Sequence, residues 1–343
     1  MRKLLNTLYV TTQRSYLSKE GETVAVKIEG KTVINFPLHL LDGIICFGQI
    51  SCSPALMGYC AEQGVTISFL TEYGRFLARV QGPVSGNVLL RREQYRRADD
   101  QKASLELAKM FITAKIANQR TVLQRALRDH GEKINYKIVS SASFLLTNSL
   151  KKVDMQEQLD GLRGVEGDAA NAYFSVFDHL IVAQKEHFVF TQRSRRPPLD
   201  NVNCLLSYLY VILMHDCRSA LETVGLDPAV GFLHRDRPGR YGLALDLMEE
   251  LRPYLADRLA LSLINMCQVR PKDFTKVESG AVFINDGARK TLLEKYQERK
   301  QDEITHPFLG EKIKIGQLIF VQAMLLARHL RGDMDRYPPF FWR

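Results

Sequence analysis

Two carboxylates and one imidazole, far apart in the chain, have the chemistry of ligands for a hard divalent cation. Glu166, His234 and the pair Asp246 and Glu249 each lie in or beside an otherwise apolar stretch. Carboxylate oxygens suit Mg²⁺ and Mn²⁺, and an imidazole nitrogen shifts the preference toward Mn²⁺. In a basic chain, such a set of residues predicts metal-assisted chemistry on a phosphodiester.

Glu166 falls in a predicted helix that is apolar on two adjoining stripes. Leu162 and Val165 belong to one stripe, while Ala170 and Tyr173 share the second with Glu166. A carboxylate in this place is half buried, so it needs a cation, a hydrogen-bond donor or a proton. Two interpretations stay open, a metal ligand and an internal ion pair with an arginine.

His234 begins a loop that is rich in arginine. Arg235, Arg237 and Arg240 follow it within six residues. Guanidinium groups bind phosphate, and positive neighbours favour the neutral imidazole that coordinates metals. The alternative is a structural histidine, which is the usual role of a single such residue.

Asp246 and Glu249 are three residues apart and therefore share one face of a predicted helix. Glu250 competes with Glu249, since it lies four residues from Asp246. A solvated acidic face is the simpler interpretation, but Asp246 stands between Leu245 and Leu247, which argues against it. Which of Asp246 and Glu249 would bind a metal directly is left open by the spacing.

The distribution of charge indicates an anionic partner. The net charge is +9, and residues 91–133 carry eleven Lys or Arg against six Asp or Glu. A solvated helix face or a phosphate-binding surface would each account for this excess. The candidate DNA-binding residues lie on this helix and in two loops: Lys115, Arg120, Arg193, Arg195, Arg196, Arg235, Arg237 and Arg240.

Periodicity divides the 343 residues into two regions and a tail. Alternating runs with turn residues between them predict a β domain over 1–84, with one helix over 53–62. Residues 85–335 follow a helical pattern almost throughout, with a loop near 303–311. The fold class is therefore α+β, an N-terminal β domain followed by a larger all-α domain that carries the metal site.

The remaining composition predicts a soluble, cytoplasmic protein. No two of the six cysteines are spaced as C-x-x-C, which predicts reduced thiols rather than a zinc site. The stretch 1–8 is too polar for a signal peptide. The longest apolar run, 205–214, is too short to span a bilayer and reads as a core helix.

The tail, 336–343, has two prolines and four aromatic residues, among them the single tryptophan, Trp342. Its prolines favour an extended segment, and its aromatic groups need cover from water. It either packs on its own domain or docks into a groove on a partner subunit.

Several of these motifs, taken together, resemble a known family. The runs 164–170, 231–234 and 245–249 are similar in residue type and order to motifs of the CRISPR-associated integrase (endonuclease) family of spacer acquisition. The resemblance extends through Arg252-Pro253, the loop at 195–198, the run 201–203 and the junction at 82–97. Details resemble the subtype I-C branch most.

The resemblance implies a metal site made by Glu166, His234 and Glu249, with Asp246 in support. Glu249 stands where many members have Asp. It further implies insertion of captured DNA fragments as new spacers, by attack of a 3′-hydroxyl on the phosphodiester at a CRISPR repeat, with Mn²⁺ or Mg²⁺. The implied partners are double-stranded DNA fragments, repeat DNA, a second copy of the chain joined through the β domain, and a small ferredoxin-like adaptation subunit. A stand-alone metal nuclease of repair and a non-catalytic DNA-binding scaffold are the rival functions.

Overall fold

The computed structural model describes residues 6–72, 76–80 and 88–342. It shows a β-strand region followed by a larger helical domain, which confirms the predicted order of the two regions. The second domain is not all-α as predicted, because it also contains two short β-hairpins. A turn that Gly74 predicts at 73–75, and the glycine- and proline-containing run 82–86 between the two predicted domains, lie outside the described residues.

Over the described residues 6–72 and 76–80, the N-terminal region has eight strands, one α-helix and a short 3-10 helix (Leu38–Leu40). The strands and the α-helix are β1 (Asn6–Val10), β2 (Tyr16–Glu20), β3 (Thr23–Ile28), β4 (Lys31–Pro37), β5 (Leu41–Phe47), β6 (Ser51–Cys52), α1 (Pro54–Gln63), β7 (Thr66–Leu70) and β8 (Phe76–Val80). One sheet has the order β1-β5-β7-β8, and the other has the order β4-β3-β2-β6. Buried aliphatic residues, among them Leu17, Ile44 and Ile67, form the core of this region.

Sequence signals place helix α1 within one residue of its prediction. The Ser53 hydroxyl accepts a hydrogen bond from the Leu56 amide at 3.2 Å, and Pro54 occupies the first turn. Gly64 ends the helix in the left-handed region with φ of +71°. The parallel pairs β1 with β5 and β5 with β7 were not predicted, because alternation within a strand does not identify its neighbour.

Nine helices and two short hairpins form the C-terminal domain over the described residues 88–342. The helices are α2 (Val88–Asp99), α3 (Gln101–His130), α4 (Tyr136–Asp154), α5 (Leu159–Phe174), α6 (Asn201–Thr223), α7 (Gly242–Arg252), α8 (Arg258–Asn265), α9 (Asp286–Gln301) and α10 (Ile315–Arg331). The hairpins pair β9 (Phe274–Lys276) with β10 (Val282–Ile284) and β11 (Glu303–Thr305) with β12 (Lys312–Lys314). These strands of three residues are too short for a recognisable alternation, so sequence analysis assigned the second pair to a loop.

The long helix α3 organises the helical domain. It packs against α4, α5 and α7, and α6 also packs against α7. Asp200 caps α6 as predicted, since its carboxylate accepts from the Asn203 amide at 2.7 Å. Helices α5 and α7 both pack on α3, so polar residues of these three helices can meet.

The C-terminal tail packs on its own domain, the first of its two predicted arrangements. Tyr337, Phe340 and Trp342 are buried. The Glu250 carboxylate accepts from the Tyr337 hydroxyl at 2.5 Å and from the Phe340 amide at 2.8 Å. Burial raises the pKa of Glu250 to about 7 against the opposing effect of these hydrogen bonds. The tail therefore covers the side of α7 on which Glu250 lies, and the last residue, Arg343, is outside the described part of the chain.

Candidate active site

Three elements bring the predicted site residues to one open pocket of about 390 Å³. Glu166 comes from α5, Glu249 from α7, and His234 from the loop that precedes α7. The other lining residues are six arginines and one leucine: Arg163, Arg195, Arg235, Arg237, Arg240, Arg252 and Leu233. The pocket thus combines two carboxylates, Glu166 and Glu249, which we call its floor, with six guanidinium groups. Guanidinium groups in this number suit an anionic ligand.

Asp246 is wholly buried and uses both carboxylate oxygens to shape the His234 loop. One oxygen accepts from the amides of Phe232 and Leu233 at 2.6 and 3.0 Å. The other lies 3.1 Å from the His234 amide and 2.6 Å from its Nδ1. Because the Asp246 carboxylate can only accept, Nδ1 donates to it, and this contact turns Nε2 toward the pocket.

A close backbone approach at Gly231 makes this arrangement possible. A Cβ atom there would lie 2.6 Å from the carbonyl carbon of Gly242 and 2.8 Å from Oδ2 of Asp246. Gly242 is the first residue of α7, so the loop crosses directly over the start of the helix. Residue 231 is therefore a glycine because no side chain fits between the loop and the helix at this position.

Glu249 is surrounded by positive groups. Its Oε1 lies 3.2 Å from Nη1 of Arg252 and 3.9 Å from Nε2 of His234, and its Oε2 lies 2.8 Å from Nζ of Lys115. Burial alone would raise the pKa of Glu249, but the charges of Arg252 and Lys115 lower it below its ordinary value. The carboxyl is therefore ionised at neutral pH, as a metal ligand must be.

Lys115 corrects one prediction. It was expected on a DNA-binding surface of α3, but its side chain is only 5% exposed and forms ion pairs with both Glu166 and Glu249. The periodicity of α3 explains the difference, because Lys115 falls on the same buried face as Phe111 and Ile112. Glu166 itself is half buried, as predicted, and its partner is this lysine rather than an arginine.

Arg193 is held by neighbouring groups of the protein itself. Its guanidinium donates to Asn203 Oδ1 at 2.6 Å and Ser207 Oγ at 3.1 Å, and it lies 5.2 Å from the ring centre of Tyr210. Burial lowers its pKa from the ordinary arginine value. These contacts fasten the 193–200 loop to α6, and a role of the partly exposed Arg193 in DNA binding stays a prediction.

The other candidate DNA-binding residues differ in exposure. Arg195, Arg235 and Arg237 are exposed, and Arg240 is partly buried at the same pocket. Burial and the neighbouring Arg237 lower the pKa of Arg240, which reflects the density of positive charge there. Arg196 is exposed but does not line the pocket, and the half-buried Arg120 lies further along α3.

Sequence analysis gave no role in the site to two arginines that support it. Arg163 donates from Nε and Nη2 to the Leu233 carbonyl at 3.1 and 2.6 Å, which ties the His234 loop to α5. Arg252 holds Glu249 from one turn away on α7. Arg163 lies three residues before Glu166, and Arg252 lies three residues after Glu249. Residues with this spacing are neighbours on a helix surface, so helical spacing could have identified both arginines.

The donor set fits a divalent metal ion. Glu166, Glu249 and Nε2 of His234 offer two carboxylate ligands and one nitrogen ligand, and Asp246 supplies the outer hydrogen bond typical of a metal-binding histidine. Over residues 6–72, 76–80 and 88–342, no three His, Cys, Asp or Glu side chains are already arranged as a metal cluster. The ammonium of Lys115 lies between the two glutamates instead.

Fold and site together define an α+β protein with a carboxylate–histidine pocket lined by arginines. A family model for CRISPR associated protein Cas1 matches residues 8–298, most of the chain. The chain belongs to the Cas1 family. Among its relatives, a CRISPR-associated endonuclease Cas1 of Chlorobaculum tepidum is 57% identical over the whole of both chains. A second, from Rhodospirillum rubrum, is 54% identical, again over the full length of both.

Solved structures have the same fold. A Cas1 protein from Thermotoga maritima has a TM-score of 0.81 and 22% identity, and the match covers 95% of this chain and 97% of that one. A casposase bound to an integration product has a TM-score of 0.84 and 24% identity, with 99% and 95% covered. None of the helices over the described residues has the length and apolar character needed to cross a membrane.

Proposed function

We propose that this protein is a metal-dependent DNA strand transferase and endonuclease that inserts captured DNA fragments into a CRISPR array. One observation carries the proposal: Glu166, His234 and Glu249, which are distant in sequence, meet at a single pocket lined by six arginines. Relatives over the whole chain are named CRISPR-associated endonucleases, which supports the DNA substrate. The subtype I-C branch remains part of this proposal.

Glu166, Nε2 of His234 and Glu249 would hold the metal ion directly. Both oxygens of Asp246 are already committed to three backbone amides and to His234. Asp246 therefore acts as the supporting carboxylate and Glu249 as the direct ligand. A bound Mn²⁺ or Mg²⁺ would stabilise the charge that develops on the phosphate and activate the attacking oxygen.

The chain's own residues bind and orient the DNA backbone. Arg195, Arg235, Arg237 and Arg240 surround the pocket, where they would hold phosphates through charge-assisted hydrogen bonds. In strand transfer, one phosphorus–oxygen bond to the incoming 3′-oxygen forms and one to the leaving oxygen breaks. The number of phosphodiesters is conserved, so no external energy source is needed. Hydrolysis is the same displacement with water as the attacking group.

The proposed assembly contains two copies of the chain joined through the β region and a small ferredoxin-like adaptation subunit, in the cytoplasm. A neighbour in fold, at 23% identity, belongs to a Cas6-RT-Cas1–Cas2 complex, which supports a partner of this kind. The fold neighbour bound to an integration product supports double-stranded DNA as the ligand.

A strand-transfer assay tests the proposal. Purified protein is incubated with a supercoiled plasmid bearing a repeat and with a labelled DNA fragment, with and without the partner subunit. We expect label to join the plasmid in Mn²⁺ or Mg²⁺ and to remain free in EDTA. Cutting without joining, with the partner present, would favour the stand-alone nuclease. Joining in EDTA would contradict metal dependence.

A further inference from the structure

Lys115 occupies the place that a cation would take between two of the proposed metal ligands. Its Nζ is paired with Oε1 of Glu166 and lies 2.8 Å from Oε2 of Glu249. The side chains of Lys115 and Glu249 are 5% and 4% exposed, so solvent screens this contact poorly. The ammonium is the link between α5 and α7 at the floor of the pocket.

Each of the two glutamates at this floor is already in contact with a positively charged side chain. The two glutamates carry two negative charges, while Lys115 and Arg252 carry two positive charges. A divalent cation that bound both glutamates would lie within a few ångströms of the Lys115 ammonium and would be repelled by it. Arg252 is paired with Glu249 and also lies over the ring of Tyr210. Lys115, in contrast, is paired with both glutamates.

We propose that Lys115 is an internal counter-cation that keeps the two glutamates paired in the metal-free protein and competes with the divalent ion for them. This inference rests on the proposed metal-dependent function. A direct phosphate-binding role would require the ammonium to reach solvent, whereas it is almost wholly covered. Metal binding then displaces an ammonium instead of filling an open site, so Lys115 weakens the affinity of the protein for the ion.

Substitutions that separate charge from volume test the proposal. Lys115→Gln and Lys115→Met both remove the positive charge, so either serves if the other fails to fold. Lys115→Arg keeps the charge. Lys109→Gln is the matched control, because Lys109 lies on the same helix but donates to the Asp154 carbonyl at 2.9 Å.

The readout is Mn²⁺ affinity of the full chain without DNA, measured by electron paramagnetic resonance titration. We expect Lys115→Gln and Lys115→Met to bind Mn²⁺ at least about tenfold more tightly than the wild type, since a unit charge a few ångströms away is removed. Lys115→Arg and Lys109→Gln should match the wild type. Equal affinity of the wild type and both charge-removing variants would overturn the proposal.

Glu166→Gln separates failure of this inference from failure of the proposed function. If Glu166→Gln loses Mn²⁺ binding while Lys115→Gln matches the wild type, only the role of Lys115 is wrong. If Glu166→Gln binds as the wild type does, the ion does not use this pocket and both proposals fail.

Thermal unfolding adds a second readout. In EDTA, Lys115→Gln should melt at a lower temperature than the wild type, and Mn²⁺ should raise the melting temperature of Lys115→Gln by more than that of the wild type. An equal rise in both proteins would also count against competition.

Discussion

Nδ1 of His234 lies 2.6 Å from the buried carboxylate of Asp246, and this contact fixes which ring nitrogen faces the pocket. The same carboxylate accepts from the backbone amides of Phe232, Leu233 and His234. One residue therefore controls both the path of the loop and the orientation of the imidazole. The consequence is that Asp246 affects the proposed chemistry without touching the substrate.

Asp246→Asn should weaken strand transfer by about 10–100-fold, the usual cost of losing a residue that orients a metal ligand. The amide keeps an oxygen for some of the backbone donors but no longer favours the required form of His234. A titration of activity against Mn²⁺ should show partial recovery at high metal concentration.

Asp236→Asn is the control, because Asp236 is an exposed carboxylate in the same loop. Its activity should match the wild type at every Mn²⁺ concentration. Full activity of Asp246→Asn at low Mn²⁺ would show that the imidazole does not depend on this contact.

Two neighbouring phenylalanines test the packing of the tail. Phe340 is wholly buried and Phe341 is 36% exposed. Phe340→Ala should destabilise the protein by about 3–5 kcal/mol, whereas Phe341→Ala should cost much less. Thermal unfolding compares the two, and similar melting temperatures would mean that the tail does not pack here in solution.

DNA binding should depend on the arginines around the pocket through counterion release. Arg237→Ala should lower the slope of log affinity against log salt by about 1, because one phosphate contact is lost. Lys290→Ala should leave the slope unchanged, since Lys290 lies on α9 and does not line the pocket. An unchanged slope for Arg237→Ala, measured by fluorescence anisotropy from low to moderate salt, would remove Arg237 from the DNA surface.

Asp257 gives a pH dependence of stability. Burial raises its pKa to about 6, although its Oδ1 accepts from the Tyr210 hydroxyl at 2.6 Å. An unfolded aspartate titrates near pH 3.9, so the native state binds this proton more tightly. Protonated Asp257 therefore contributes its full stabilisation of the native state below about pH 4, and this contribution is lost as the pH rises through about 6.

Asp257→Asn stays neutral at every pH and should therefore escape this loss. Relative to the wild type, its stability should rise by about 2–3 kcal/mol between pH 4 and pH 7. Melting temperatures at several pH values test this, and parallel curves for the two proteins would contradict the raised pKa.

Local features were predicted well where one residue decides the structure. Ser53, Pro54 and Gly64 fix α1, and Asp200 caps α6. The half-buried position of Glu166 followed from its helical stripe. Each of these depends on contacts within a few residues, which sequence spacing records directly.

Long-range partners were not predictable in the same way. Lys115 pairs with Glu166 across 51 residues, and helical periodicity gives its face without naming what packs there. The parallel strands β1, β5 and β7 pair through connections that alternation does not reveal. The site residues were found through motifs, but the position of Lys115 between the two glutamates came only from the structure.

Two adjacent glutamates on α7 provide the most direct test of the central claim. Glu249 lines the pocket, whereas Glu250 is equally buried but accepts a hydrogen bond from Tyr337 in the tail. Burial raises the pKa of Glu250 to about 7, so glutamine closely mimics the protonated form of Glu250. In the strand-transfer assay with Mn²⁺, Glu249→Gln should abolish joining, and Glu250→Gln should retain most of it below its melting temperature. Efficient joining by folded Glu249→Gln would contradict a metal site at this pocket.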